Sequence, residues 1–282
     1  MNRSNVKAPT AHETDYGDFD NGQKGVKCEL YRDNFENAKS YNLPRAQLLV
    51  ADIPYNIGTD FYGSSPSWYN GGDRAQGESE KAHKAAFDRD YSFNICNFFA
   101  FANRLLKKEP KTGEKDAPCM IVFCSFQQIP AVIKEAEKSG FKKYIFLVFV
   151  KPTSSQVLKS NMKVVGATEY ALVLYRNKLP KFRNTDPADG KRHMVKNWME
   201  WKRDGKEIPR IHPTQKPVGV LKRLIEIFTD PGDVVIDPCA GSGSTLRAAR
   251  ELGRDSYGFE VSKEFYTKAV EQMLKEDDPY ER

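Results

Sequence analysis

The sequence predicts an α/β fold built on a doubly wound, largely parallel sheet, and three observations predict it. Short runs rich in β-branched and aromatic residues recur along the chain. Several are continuously apolar, as strands covered on both faces are. Segments with helical periodicity separate many of them, so strands and helices alternate.

Seven strands are expected. CELY (28–31) comes first, and QLLVAD (47–52) ends its apolar run at Asp52. A helical pattern at 93–106 precedes CMIVFCS (119–125), and a second at 129–139 is closed by Gly140. YIFLVFVK (144–151) and TEYALVLY (168–175) follow. The next helix, 217–228, starts with Pro217, a residue preorganised for a first turn. VVID (234–237), a helix at 244–252 closed by Gly253, SYGFE (256–260) and a helix at 262–275 complete the chain. Residues 61–91 are rich in Gly, Ser and charge and long for a connection, which fits a functional loop or disorder. Residues 1–24 read as a flexible arm, and no internal repeat is present.

Composition narrows the class. The 282 residues are 39% hydrophobic and 12% aromatic, enough for one large α/β domain with insertions, or two domains. No run approaches the roughly 18 apolar residues of a membrane span, and the polar start lacks a secretory core, so a soluble cytoplasmic protein without a membrane partner is expected. Cys28, Cys96, Cys119, Cys124 and Cys239 form no CxxC pair and have no nearby histidine ladder, so neither a metal site nor a disulfide framework is implied. The net charge of +6 is concentrated locally: residues 176–216 carry 12 Lys and Arg against 5 Asp and Glu. A solvated loop or a phosphate-backbone partner accounts for such a run.

Two polar strand ends carry the chemistry. After VVID comes Asp237-Pro238-Cys239-Ala240-Gly241-Ser242-Gly243-Ser244-Thr245, a glycine turn leading into a helix, and Glu260 follows at the tip of the next strand. Such a turn brings backbone N–H groups close to a ligand, and an acid about 20 residues on commonly accepts from ribose hydroxyls. A P-loop would need Gly-Lys-Ser/Thr, and the third glycine of a dinucleotide fingerprint is Leu246 here, so a nucleoside without pyrophosphate fits better than either. A plain strand-to-helix turn is the structural alternative. The second strand end is Asp52-Ile53-Pro54-Tyr55. Ligands of open parallel sheets sit beyond the carboxyl ends of strands, which would put Asp52 and Tyr55 on one rim with Asp237 and Glu260. A carboxylate beside a carbonyl offers two acceptors to an amino group, and a tyrosine offers a stacking face; an ordinary Asx/Pro turn is the alternative.

These residues resemble a family. Asp52-Ile53-Pro54-Tyr55 resembles the DPPY motif of amino-methyltransferases, residues 237–245 resemble their S-adenosylmethionine motif DPFAGSGT, and residues 212–217 match the HPTQKP block of β-class DNA methyltransferases. In this order they make the chain similar to β-class amino DNA methyltransferases of the adenine-N6 type over nearly all of residues 28–275, including FVKPTSS (149–155) and ATEYALVLYRNK (167–178). The resemblance implies a seven-stranded Rossmann-like methyltransferase sheet, circularly permuted so that the cofactor motif comes late. It implies a catalytic domain over 25–175 and 212–276, a basic target-recognition region over 176–211, and a loop at 60–91 that could touch DNA.

Residue roles follow from the same resemblance. Asp237, Pro238, Cys239, Gly241, Ser242, Gly243 and Thr245 would surround the methionine part of S-adenosylmethionine, Glu260 its ribose, Lys216 its carboxylate and Asp33 its adenine. Arg32 stands where the family has glycine before that Asp33, Cys239 where it has phenylalanine, and Ile53 where it has proline, although isoleucine supplies the same carbonyl. Asp52 and the Ile53 carbonyl would hold the target amine, with Pro54 shaping the turn and Tyr55 stacking on a flipped base. Lys181, Arg183, Lys191, Arg192, Lys196, Lys202 and Arg203 would meet double-stranded DNA. Trp198 and Trp201 read as the small core of that region. The leading Asp favours adenine N6, with cytosine N4 and a non-catalytic recognition subunit as alternatives. A homodimer and a partner restriction endonuclease are open to the family.

Overall fold

The computed structural model describes residues 25–55, 93–111, 116–152, 157–159, 164–185 and 188–275. The expected arm at 1–24 and loop at 60–91 lie outside them. The strands are β1 (Cys28–Tyr31), β2 (Leu48–Asp52), β3 (Cys119–Cys124), β4 (Lys143–Val150), β5 (Val157–Lys159), β6 (Val164–Val165), β7 (Thr168–Tyr175), β8 (Trp198–Glu200), β9 (Val234–Asp237) and β10 (Asp255–Phe259). The helices are α1 (Ile95–Leu105), α2 (Ile129–Lys138), α3 (Val218–Phe228), α4 (Ser244–Glu251) and α5 (Lys263–Lys268). The helix expected through 275 passes from α5 into a π-turn over Ala269–Met273.

One sheet runs β1-β10-β9-β2-β3-β7-β4-β8. β9 and β10, last in the chain, insert between β1 and β2, so the glycine turn and Asp52 meet at the centre of the sheet. β7 is antiparallel to both its neighbours and the other pairings are parallel. The start of β7 therefore lies on the same rim as the carboxyl ends of the parallel strands. All seven expected strands are present, and the sheet has an eighth: β8 pairs in register with Val148–Val150 of β4. Three residues without an apolar run leave little periodicity to read, and their strand character comes from the edge they join.

Strand alternation builds the two core layers. Leu49 and Ala51 of β2 face Phe98, Phe99, Phe101 and Val132 of α1 and α2, whereas Leu48 and Val50 join Leu221, Leu224, Ile225, Ala248 and Ala249 of α3 and α4. Covering both faces is what makes these strands continuously apolar in sequence. Asn94 caps α1 by accepting from the Cys96 and Asn97 amides at 3.0 and 3.1 Å. Asp204, remote in sequence, accepts from Val218 N and Gly219 N at the start of α3 and so ties the basic segment to that helix.

The course of this segment sets two of the expected DNA contacts, Lys181 and Arg183, apart from the others. After β7 the chain passes along the amino edge of the sheet, where Lys181 N donates to the Ala117 carbonyl just before β3. Lys181 Nζ lies 2.5 Å from Asp233 and 2.8 Å from Asp230. The Arg183 guanidinium spans Asp230 and Asp116 at 2.7 and 3.0 Å. Burial works against the Lys181 charge, but the two aspartates more than compensate and hold its proton. Lys181 and Arg183 thus brace the amino edge, opposite the rim that carries the site.

Candidate active site

The glycine turn forms because β9 ends in an acid that its own next residues bind. Asp237 Oδ1 accepts from Cys239 N at 2.9 Å, and the Thr245 hydroxyl also bonds this carboxylate. Gly241 and Gly243 have φ of 52° and 76°, a left-handed conformation that favours glycine. Gly243 then caps α4. Glu260, after β10, closes the turn: Oε2 accepts from Gly241 N at 2.8 Å and Oε1 from Ser262 N at 2.7 Å. The Val261 amide also bonds this carboxylate. Burial first, then repulsion from Asp52 and Glu260, lift the Asp237 carboxyl to about 7 against its hydrogen bonds. Burial likewise raises Glu260, and burial with the surrounding carboxylates keeps the Cys239 thiol protonated and inert.

Asp33 stands after β1, beside β10. It accepts from Asn34 N at 2.7 Å, Asn37 Nδ2 at 2.8 Å and Tyr41 OH at 2.9 Å. Burial raises its carboxyl, but these three donors outweigh that and hold it below its ordinary range.

Asp52 ends β2 on the same rim. Ile53 buries its side chain in the core and donates its amide to Phe123 O at 3.2 Å. Gln128 Nε2 donates to the Pro54 carbonyl at 2.8 Å, while Gln128 Oε1 accepts from Ser125 N at 3.0 Å. The 3-10 turn after β3 thus stiffens a tetrapeptide that has only one proline. Lys216 Nζ lies 2.6 Å from Asp52 Oδ2, and Asp52 Oδ1 is shielded and accepts no hydrogen bond from the described residues. A buried carboxylate oxygen without a donor is costly, which marks Oδ1 as a place for an incoming N–H. Burial raises the Asp52 carboxyl and the Lys216 charge opposes the rise.

The 212–217 turn delivers Lys216. Gln215 braces it by accepting from Ile211 N at 3.1 Å and donating to Pro209 O at 2.9 Å. His212 packs on Phe265 at 4.2 Å, and a Cβ at Gly241 would lie 3.6 Å from His212 Nε2, so the imidazole roofs the glycine turn. Burial and the Lys216 charge lower its pKa to about 4, leaving it neutral. Lys216, expected beside the cofactor carboxylate, is bonded to Asp52 and lies 3.7 Å from Glu169. Burial disfavours its charge, and the two carboxylates outweigh that.

Glu169 and Lys151 escaped sequence reasoning, and Trp201 was given another place by it. Glu169, at the start of β7, accepts from Tyr55 OH at 2.7 Å and pairs with Lys151. Trp201 is buried against Phe149 with Lys151 at 5.2 Å and Lys216 at 5.7 Å from its ring, so it belongs under the rim and not to a separate small core. Trp198 is 49% exposed on the edge strand. Charged residues at the tips of buried strands, Lys151 and Glu169, were the available signal. Lys191, Arg192, Lys196, Lys202 and Arg203 are exposed, and Lys202 and Arg203 directly follow β8 and Trp201 at the rim.

Along this rim Asp52 and Glu169 meet the ammonium groups of Lys151 and Lys216, Asp237 and Glu260 stand at the glycine turn, and His212 is neutral. The surplus of carboxylate, together with the shielded Asp52 oxygen, fits a cationic, hydroxyl-bearing nucleoside. Among the described residues no cluster of His, Cys, Asp and Glu could hold a metal, and no helix is long and apolar enough to cross a membrane.

Comparison with known proteins agrees with this chemistry. The N6/N4 methyltransferase family model, described as DNA methylase, matches residues 46–271. A DNA adenine methyltransferase, YhdJ of Escherichia coli K12, is 26% identical over 274 residues, covering 88% of this chain and 83% of that protein. Among solved structures, the complex of M1.HpyAVI with SAM has a TM-score of 0.59 at 21% identity, covering 88% of this chain and 99% of that one. The cytosine-N4-specific PvuII DNA methyltransferase has a TM-score of 0.61 at 16% identity, covering 91% of each.

Proposed function

Because the chain belongs to the N6/N4 family of DNA methylases, we propose that it transfers a methyl group from S-adenosylmethionine to the exocyclic N6 of an adenine flipped out of duplex DNA. The observation that carries this reading is Asp52 Oδ1, buried and without a donor among the described residues, at the strand end next to the glycine turn.

When bound, S-adenosylmethionine supplies the electrophilic methyl group. Asp237, Thr245 and the Gly241 to Gly243 backbone line the methionine side of its site, Glu260 accepts from the ribose, and Asp33 meets the adenine. An exocyclic amine is a weak nucleophile because its lone pair is conjugated into the ring. Asp52 Oδ1 and the Ile53 carbonyl accept its two N–H groups, which localises the lone pair and aims it. Tyr55 receives the face of the flipped base, which is unreachable inside the duplex. Orientation and electrostatics would then do the work, with no covalent enzyme intermediate: the N–C bond forms as the methyl–sulfur bond breaks, a neutral thioether leaves, and the methylated nitrogen sheds one of its protons.

Lys191, Arg192, Lys196, Lys202 and Arg203 are the proposed contacts to the DNA backbone or to guanine edges. Adenine is favoured by the leading Asp of the 52–55 turn and by the activity named for the Escherichia coli relative. Cytosine N4 is the second reading, because the family covers both amines and one acceptor pair suits either. Mass spectrometry of nucleosides from duplex DNA incubated with protein and S-adenosylmethionine tests this directly. N6-methyladenine is expected; N4-methylcytosine would change the base and keep the mechanism, and absence of any methylated base would leave a recognition subunit.

A further inference from the structure

Glu169 is a partly buried acid beside this site that the methyl-transfer reading does not use. Its register partner is Phe149, near the end of β4, and the next residue but one, Lys151, contacts Oε1. Oε2 accepts from Tyr55 OH at 2.7 Å and lies 3.7 Å from Lys216 Nζ. Lys216 in turn bonds Asp52 Oδ2 at 2.6 Å and approaches Tyr55 OH at 3.4 Å. The row Lys151, Glu169, Lys216, Asp52 alternates in sign, with the Trp201 ring packed against both ammonium groups. Opposite charges so placed act strongly on one another, because little water lies between them to screen the field.

Resting on the proposed methyl transfer, we propose that Glu169 is a positioning residue for the reaction: it locks the Tyr55 ring through its hydroxyl and restrains the pull of Lys216 on Asp52, so that Asp52 Oδ1 keeps the charge density with which it polarises the target amine.

The geometry around Asp52 leaves Glu169 a distinct part in this balance. The groups that act on Asp52 are Lys216 from the turn before α3, Tyr55 after β2, Cys124 at the end of β3, Glu169 from β7, Asp237 at the end of β9 and Cys239 just after it. Burial keeps both thiols protonated, and Tyr55 is held neutral by burial and the carboxylates. Lys216 is the cation that draws charge from Asp52, and Glu169 opposes it. Glu169 itself stays ionised: burial works against its charge, and Lys216 and Lys151 overcome that.

The pH dependence of single-turnover methylation tests the proposal, together with the DNA KM, the cofactor Kd by calorimetry and the thermal midpoint of each variant. Glu169→Gln keeps an acceptor for Tyr55 and deletes the negative charge. Lys216 then holds Asp52 ionised to lower pH, so the acid limb of the rate profile moves down and the plateau rate falls, with the DNA KM near that of the unaltered protein. Glu169→Ala also frees Tyr55, and there the DNA KM rises and kcat drops by about 10- to 100-fold. Lys151→Met leaves the Glu169 charge uncompensated and moves the acid limb up. Cofactor Kd stays within about twofold in all three, as expected for sites that share no contact. An unshifted acid limb in folded Glu169→Gln and Lys151→Met overturns the role of Glu169 while methylated product from the unaltered protein upholds the methyl-transfer reading. No methylated base from the unaltered protein overturns both.

Discussion

Lys216 Nζ sits 2.6 Å from Asp52 Oδ2, joining two residues 164 apart in the chain, while the other Asp52 oxygen has no donor among the described residues. The ion pair fixes which oxygen is satisfied and which one waits. It also ties the 212–217 turn, the roof of the glycine turn, to the strand end that presents the target acceptors.

Asp52→Ala is expected to abolish methylation, a loss on the order of 100-fold or more, since it removes a preorganised acceptor. Cofactor binding should persist, because Asp237 and Glu260 are untouched. Single-turnover rates and calorimetry check the two halves separately, and an equal loss of cofactor affinity would put Asp52 in the wrong pocket.

Glu260→Ala should weaken cofactor binding by about 1 to 3 kcal/mol, the usual cost of leaving a buried hydroxyl donor without its acceptor. Because Glu260 also binds Gly241 N and Ser262 N, the turn loosens and the thermal midpoint falls. Glu260→Gln retains a side-chain carbonyl for one of those amides and should recover part of the midpoint. Unchanged affinity in both variants rejects the ribose role.

Asp237 makes stability depend on pH in a definite sense. Its folded pKa of about 7 lies above the ordinary value of 3.8, so the folded protein binds the proton more tightly. Stability from this group is present below pH 4 and is lost as pH rises toward 7. Asp237→Asn should therefore stabilise the cofactor-free protein at pH 8, by at most about 4 kcal/mol at roughly 1.4 kcal/mol per pH unit, and bind cofactor less well. Denaturant melts at pH 5 and pH 8 read the difference, and a variant less stable than the parent at pH 8 contradicts it.

The basic segment divides into two sets with opposite outcomes. Neutralising Lys191 with Arg192, or Lys202 with Arg203, should weaken DNA binding on all duplexes and flatten the log–log salt slope by about 0.9 per lost phosphate contact. An arginine that reads a guanine edge should instead cost about 1 to 3 kcal/mol on the cognate site alone. Lys181→Met should leave the slope unchanged and cost about 1 to 2 kcal/mol of stability, because Asp233 keeps Lys107 but loses its closer charged partner. Gel shifts at several salt concentrations and denaturant melts separate the sets.

Much of the molecule was legible in the chain itself. Buried strands need apolar runs, glycine supplies left-handed turns, and prolines and glycines mark helix ends, so β1, β2, β3, β4, β7, β9 and β10 could be read locally, each to within about a residue. The order of the 52–55, 212–217 and 237–245 motifs, set beside the family it resembles, also implied a circular permutation in which the strands of the cofactor motif come last. Only the tertiary structure decided who partners whom across the rim. Lys216 meets Asp52, Glu169 meets Tyr55, and Trp201 lies beneath both lysines because sheet register and the path of loops bring distant residues together. The same holds for Lys181 and Arg183: composition registers their charge, but which edge of the sheet they reach depends on β7 running antiparallel and delivering the chain to the amino side. Local patterns encode backbone conformation, whereas the pairing of charges depends on distances through space that no window of sequence contains.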